Sequence, residues 1–174
     1  MNTSIVPARR VASSLAIAAA AAALALPSAH SAPISGLSSP GLTASSVSLP
    51  SVTYLRSLAT GFALDSNYNG DVYAIPSNNG GFQRWIVGPG AYGGVTLRNW
   101  QTGRCLDSNT ARKVYTLPCN GGSFQSWALE QSRYGTLILR DVATGFVLDG
   151  NAAHSVYTGP WNGGSYQSWM PAGA

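Results

Sequence analysis

Three stretches decide the fold: Leu64–Trp85 (LDSNYNGDVYAIPSNNGGFQRW), Leu106–Trp127 (LDSNTARKVYTLPCNGGSFQSW) and Leu148–Trp169 (LDGNAAHSVYTGPWNGGSYQSW). They lie 42 residues apart and align without a gap. Extended back to Leu55, Leu97 and Leu139, the aligned block has 31 columns, of which 14 are identical in all three rows. Thr60-Gly61, Thr102-Gly103 and Thr144-Gly145 coincide, as do Pro76, Pro118 and Pro160. Such self-similarity is the mark of a triplicated structural unit.

Within one unit, short alternating patches and turn residues dominate, and no sustained helical period is present. In the first unit the pattern predicts strands over Val52–Leu58, Phe62–Asp65, Asp71–Ile75 and Phe82–Val87. Turns are expected at Ala59–Gly61 and Asn67–Gly70, and a loop at Asn78–Gly81. Four strands per unit suit a propeller blade or a trefoil lobe, but three blades fall below the usual propeller range. The expectation is an all-β fold: a β-trefoil of three repeats (about 53–94, 95–136 and 137–174), which removes most free edges by closure.

Outside the repeats, Met1–Ser31 reads as a secretory signal peptide. Arg9 and Arg10 precede an apolar run from Val11 to Leu26, with Ala29 and Ser31 at the cleavage positions. A retained membrane anchor is the alternative, but the run is short for a span. The Arg9-Arg10 pair weakly suggests twin-arginine export. Residues 32–50 are almost wholly Ser, Pro, Ala and Gly among small apolar residues, with no charge and no aromatic. That composition predicts a disordered linker, followed by a folded domain over 51–174. Cleavage removes two of the ten basic residues and leaves six acids, a net charge of 8 − 6 = +2. This argues against nucleic-acid binding, which needs a clustered basic surface.

Cys105 and Cys119 are the only cysteines and flank one hairpin of an exported chain. A structural disulfide is expected, since a reactive thiol or metal ligand would lack partners. Trp85, Trp127 and Trp169 are expected to pack where units meet, with Gln83, Gln125 and Gln167 capping backbone groups inside. Asp65, Asp107 and Asp149 have two readings. A carboxylate on a hairpin can fix a turn by accepting backbone N–H groups. It can also accept charge-assisted bonds from two adjacent sugar hydroxyls. On the same hairpins Tyr73, Tyr115 and Tyr157 return towards these acids, and the next loop supplies Asn78, Asn120 and Asn162. Ile75 or Leu117 could then cover the C–H face of a sugar.

The triple Q-x-W with an early Leu-Asp resembles the ricin-type β-trefoil lectins. The fuller string is similar to the repeats of the actinohivin-like lectins, small secreted lectins for high-mannose glycans. The resemblance spans about Thr53 to Pro171. It implies a secreted, multivalent lectin with up to three mannose pockets. No metal or cofactor is expected, because hard cations want clustered oxygen ligands and the sequence shows no such cluster. The matching columns imply pockets of Asp65, Tyr73, Ile75 and Asn78, of Asp107, Tyr115, Leu117 and Asn120, and of Asp149, Tyr157 and Asn162. Galactose is disfavoured, because the column where a galactose-binding trefoil stacks an aromatic ring holds Ile75, Leu117 and Gly159. The third repeat, with Gly159 and Trp161, is expected to bind weakly. The chain is expected to act as a monomer on glycans at cell surfaces or on glycoproteins, without inserting into membranes. The other readings are a trefoil that binds a protein partner and a sugar-targeting module of other specificity, such as galactose.

An enzyme is not expected. Past the leader there is one histidine, His154, and neither a zinc signature nor a phosphate loop. Glycoside hydrolysis needs two carboxyls within about 10 Å. The repeated Asp residues would sit on different lobes of a body roughly 30 Å across.

Overall fold

The computed structural model describes residues 47–174. The signal-peptide reading and most of the linker reading fall outside these residues. The last part of the stretch read as linker does not stand apart: Val47 and Leu49 are partly buried against the core.

The described chain is all-β. Its strands are β1 (Val52–Ser57), β2 (Ala63–Ser66), β3 (Val72–Ile75), β4 (Trp85–Pro89), β5 (Val95–Asn99), β6 (Cys105–Ser108), β7 (Val114–Leu117), β8 (Trp127–Gln131), β9 (Leu137–Asp141), β10 (Val147–Gly150), β11 (Val156–Gly159) and β12 (Trp169–Gly173). Six of them form a closed antiparallel ring in the order β1-β4-β5-β8-β9-β12 and back to β1. The remaining six are the hairpins β2–β3, β6–β7 and β10–β11. Closure leaves the ring without a free edge.

The sequence reading put a fourth strand from Phe82. The structure instead places a 3-10 turn at Gly81–Gln83, with counterparts at Ser123–Gln125 and Ser165–Gln167, and starts the strand at the tryptophan. The Gly-Gly or Gly-Ser pair before each aromatic favours a tight turn over an extended segment.

Trp85, Trp127 and Trp169 are fully buried and start the ring strands β4, β8 and β12. Around them pack Leu55, Leu97 and Leu139 from the ring and Leu64, Leu106 and Leu148 from the hairpins. Each indole N–H donates to a hairpin carbonyl: Trp85 to Leu64 (3.1 Å), Trp127 to Leu106 (3.2 Å) and Trp169 to Leu148 (3.1 Å). A buried indole needs such a partner. The bond also pins the strand that carries the next residue, the repeated aspartate.

The three hairpins clasp one another head to tail. Thr116 N–H donates to the Gly70 carbonyl (2.8 Å), Thr158 N–H to Arg112 (3.0 Å) and Ala74 N–H to His154 (3.0 Å). All three acceptor residues hold positive φ: Gly70 at 94°, Arg112 at 67° and His154 at 68°. Each meets a different neighbour. The Phe62 ring stacks on His154 with centroids 4.8 Å apart, and the Arg112 guanidinium lies 5.2 Å from the Phe146 ring. At Gly70 the corresponding space is filled by Arg104, whose Nη2 bonds Thr116 O at 2.9 Å. The disulfide Cys105–Cys119 is present and ties the start of β6 to the segment after β7.

Candidate functional site

Strand register fixes the core of each site. Asp65 lies directly opposite Tyr73, Asp107 opposite Tyr115 and Asp149 opposite Tyr157. Directly opposed residues on antiparallel strands point to the same face, with Cβ atoms about 5 Å apart. Ile75 and Leu117 lie two residues along from their tyrosines and so share that face. The carboxylates are largely covered, at 2% exposure for Asp65, 4% for Asp107 and 6% for Asp149, while Tyr73 and Tyr115 are half-buried.

The Gln of Q-x-W connects the rest. Gln125 Oε1 accepts the Asn120 N–H (2.9 Å), and its Nε2 donates to Asp107 Oδ2 (2.8 Å) and to Pro118 O (3.2 Å). Gln167 repeats this with Asn162 (2.9 Å), Asp149 Oδ2 (2.9 Å) and Pro160 O (2.9 Å). Gln83 bonds Asn78 N–H (2.9 Å) and Pro76 O (3.2 Å) in the first repeat. One buried amide thus spans the gap between the Asp strand and the Asn loop. The backbone-capping role read from sequence is present. The link to the carboxylate was not foreseen.

The asparagines are partly committed. In each repeat the side-chain oxygen accepts a backbone N–H two residues on: Asn78 from Gly80, Asn120 from Gly122 and Asn162 from Gly164, all at 2.7 Å. What remains free to donate outward is the amide NH2. Asn78 occupies the same place as Asn120 and Asn162. Asn79 takes the left-handed position (φ 56°) that Gly121 and Gly163 hold in the other repeats.

The turn-fixing role weighed for the aspartates belongs to other residues. Asn67 Oδ1 accepts Asp71 N–H, Asn109 Oδ1 accepts Lys113 N–H, and Asn151 Oδ1 accepts Ser155 N–H, each at 3.0 Å. These asparagines form an invariant column of the repeat that sequence reasoning passed over.

Burial raises the Asp65, Asp107 and Asp149 carboxyls above the ordinary aspartate value. The facing Gln amides, the N–H of the following residue and, in the first two repeats, the tyrosine hydroxyls pull the other way without cancelling it. Burial and then the nearby carboxylate raise Tyr73, Tyr115 and Tyr157, so each phenol stays protonated at neutral pH. The result is an acceptor, a donor and an amide donor around one short hairpin.

The third repeat departs. Tyr73 and Tyr115 donate back to Ser66 O (3.4 Å) and Ser108 O (3.1 Å) on the Asp strand. Tyr157 makes no such bond and stands 37% exposed. Asp149 Oδ1 is enclosed without a partner, a state shared by no oxygen of Asp65 or Asp107. Gly159 supplies no wall, and Trp161 is exposed next to Pro160.

Two cavities stand out, and neither lies over these carboxylates. One of about 310 Å3 opens where the hairpins meet, with Asp71, Tyr73, Lys113, His154 and Ser155 in its lining. The other, of about 230 Å3, flanks the disulfide.

Residues 81–160 match the family model described as ricin-type beta-trefoil lectin domain-like. Solved structures agree on the fold. A designed threefold-symmetric protein, ThreeFoil, superposes with a TM-score of 0.64 at 24% identity, covering 72% of this chain and all of its own. Cytolethal distending toxin from Actinobacillus actinomycetemcomitans superposes with a TM-score of 0.63 at 16% identity, covering 70% of this chain and 90% of its own.

Proposed function

We propose that the chain is a secreted, non-catalytic lectin that binds mannose-terminated glycans through the first and second repeats, with the third weakened. The observation that carries this reading is the recurrent opposition of Asp and Tyr, with Gln holding the carboxylate in Asp107 and Asp149. Adjacent pyranose hydroxyls each need one acceptor and tolerate one donor. An ionised Asp flanked by a protonated phenol and an Asn NH2 offers that set. The ricin-type likeness supports sugar as the ligand class. The apolar Ile75 and Leu117, in place of a stacking aromatic, support mannose over galactose.

A shallow site with few contacts binds weakly, because each hydrogen bond replaces one to water. Millimolar affinity corresponds to about −4 kcal/mol. Two or three sites on one rigid body can raise avidity by about 10²–10⁴ where glycan branches span them. Dense mannosylated surfaces are then the target, and free monosaccharide competes poorly.

A glycan array tests the reading. Binding confined to mannose-terminated glycans supports it. Binding that persists after every such glycan is removed contradicts it and favours a protein partner.

A further inference from the structure

Arginine occupies the same column in all three repeats, as Arg56, Arg98 and Arg140, and the three are not in the same state. Arg140 is neutralised across the β8–β9 hairpin by Glu130, with Nε to Oε1 at 2.6 Å and Nη2 to Oε2 at 2.9 Å. Arg56 donates to Ser77 Oγ at 3.2 Å. Arg98 makes no side-chain hydrogen bond or ion pair among the described residues and is exposed. The position on β4 that corresponds to Glu130 is Gly88. Where the later hairpin has a carboxylate, the earlier one has empty space. That space is the cleft of about 230 Å3, walled by Ile86, Gly88, Thr96, Arg98 and the Cys105–Cys119 bridge and bounded by Gln125.

The cleft adjoins the second-repeat site. Cys105 precedes Asp107 by two residues on β6, so both face the same side, about 7 Å apart along the strand. Gln125 holds Asp107 and also borders the cleft. Apolar walls of this size suit the C–H face of one pyranose ring, and a single uncompensated guanidinium above them suits a planar or tetrahedral anion.

We infer that this cleft is a second glycan subsite of the middle repeat, which receives an acidic group on the ring next to the one held at Asp107 and binds it through Arg98. The inference rests on the carbohydrate reading above. It gives the middle repeat a preference that the others lack. In the first repeat Arg56 is bonded to Ser77 Oγ, and in the third Arg140 is already paired with Glu130.

The test is calorimetric titration of the full chain at physiological salt. The probes are neutral α-linked mannobiose, its sulfated and phosphorylated forms, and a mannuronate disaccharide. At least one anionic probe should bind about tenfold tighter than the neutral one, and the tightest of them identifies the group. Arg98→Gln should reduce that probe to the neutral level while leaving neutral binding intact. Gly88→Glu should also abolish the anionic preference, by supplying the missing carboxylate. Its Cβ would meet only the rotatable Thr96 hydroxyl, at 3.1 Å. Equal affinity for all probes, or an anionic preference that survives Arg98→Gln, overturns the subsite and leaves the mannose reading standing. Failure of every sugar, mannan included, overturns both.

Discussion

Gln125 donates to Asp107 Oδ2 across 2.8 Å, both residues nearly or wholly buried, and two positions later Trp127 anchors the neighbouring Leu106 carbonyl. The Q-x-W motif thus does two things with one short segment. Its Trp fixes the backbone of the Asp strand, and its Gln fixes the carboxylate. A fold signature and a candidate binding site share the same residues.

Single truncation of the aspartates should separate the repeats. Asp65→Ala and Asp107→Ala should each lower mannan binding severalfold, through loss of avidity. Asp149→Ala should leave the signal undiminished, because one of its oxygens is already enclosed without a partner and Tyr157 lacks the bond that Tyr73 and Tyr115 make back to the Asp strand. Surface plasmon resonance on immobilised mannan reads this directly. An equal loss from all three would refute the asymmetry.

Replacing Asp107 by Asn should abolish that site while keeping, or raising, thermal stability. The amide oxygen can still accept from Gln125, and the burial cost of a charge is removed. A carboxylate present only to hold structure would give the opposite result, a lower Tm in step with lost binding. Calorimetric Tm measured beside mannan binding distinguishes the two.

pH should move binding and stability in opposite directions. All three carboxyls are raised by burial. An acid raised in the folded state contributes stability that is fully present below its unfolded value, and loses it as pH rises through the folded value. Binding needs the ionised form and so falls as pH drops through that same raised value. The decline should begin above the ordinary aspartate range, which a pH series of mannan binding alongside urea midpoints would show. Binding unchanged down to the unperturbed aspartate value would contradict it.

The hairpin clasp predicts a position-specific cost. A Cβ at Gly70 would lie 2.8 Å from the Thr116 carbonyl, at φ 94°. Gly70→Ala should therefore destabilise by about 1–3 kcal/mol. Gly61→Ala has open space around its Cβ and suffers only the strain of φ 73°, so it should cost less. Urea denaturation of the two variants compares them, and an equal loss would remove the clasp from the account.

Much of this was legible in the repeat. Three aligned rows reveal the buried Trp and Leu, the Gly61-type turns and the candidate Asp, Tyr and Asn, because those positions are identical or nearly so. The clasp was not legible, since it runs through the carbonyls of Gly70, Arg112 and His154. Backbone groups leave no residue signature, and each row solves the surrounding space differently. Gln125 was recognised as structural, but its bond to Asp107 depends on how a 3-10 turn aims the side chain, and a strand had been expected there. The invariant Arg column carried information too. It became interpretable only when the structure showed Glu130 bonded diagonally across the β8–β9 hairpin to Arg140, with Gly88 in the corresponding place on β4.

The most direct measurement is a two-dimensional NMR titration of the chain with methyl α-mannoside. The account predicts fast-exchange shifts at Asp65, Tyr73 and Asn78 and at Asp107, Tyr115 and Asn120, with the Asp149 hairpin nearly still. Shifts confined to other surfaces, or none at saturating sugar, would contradict it.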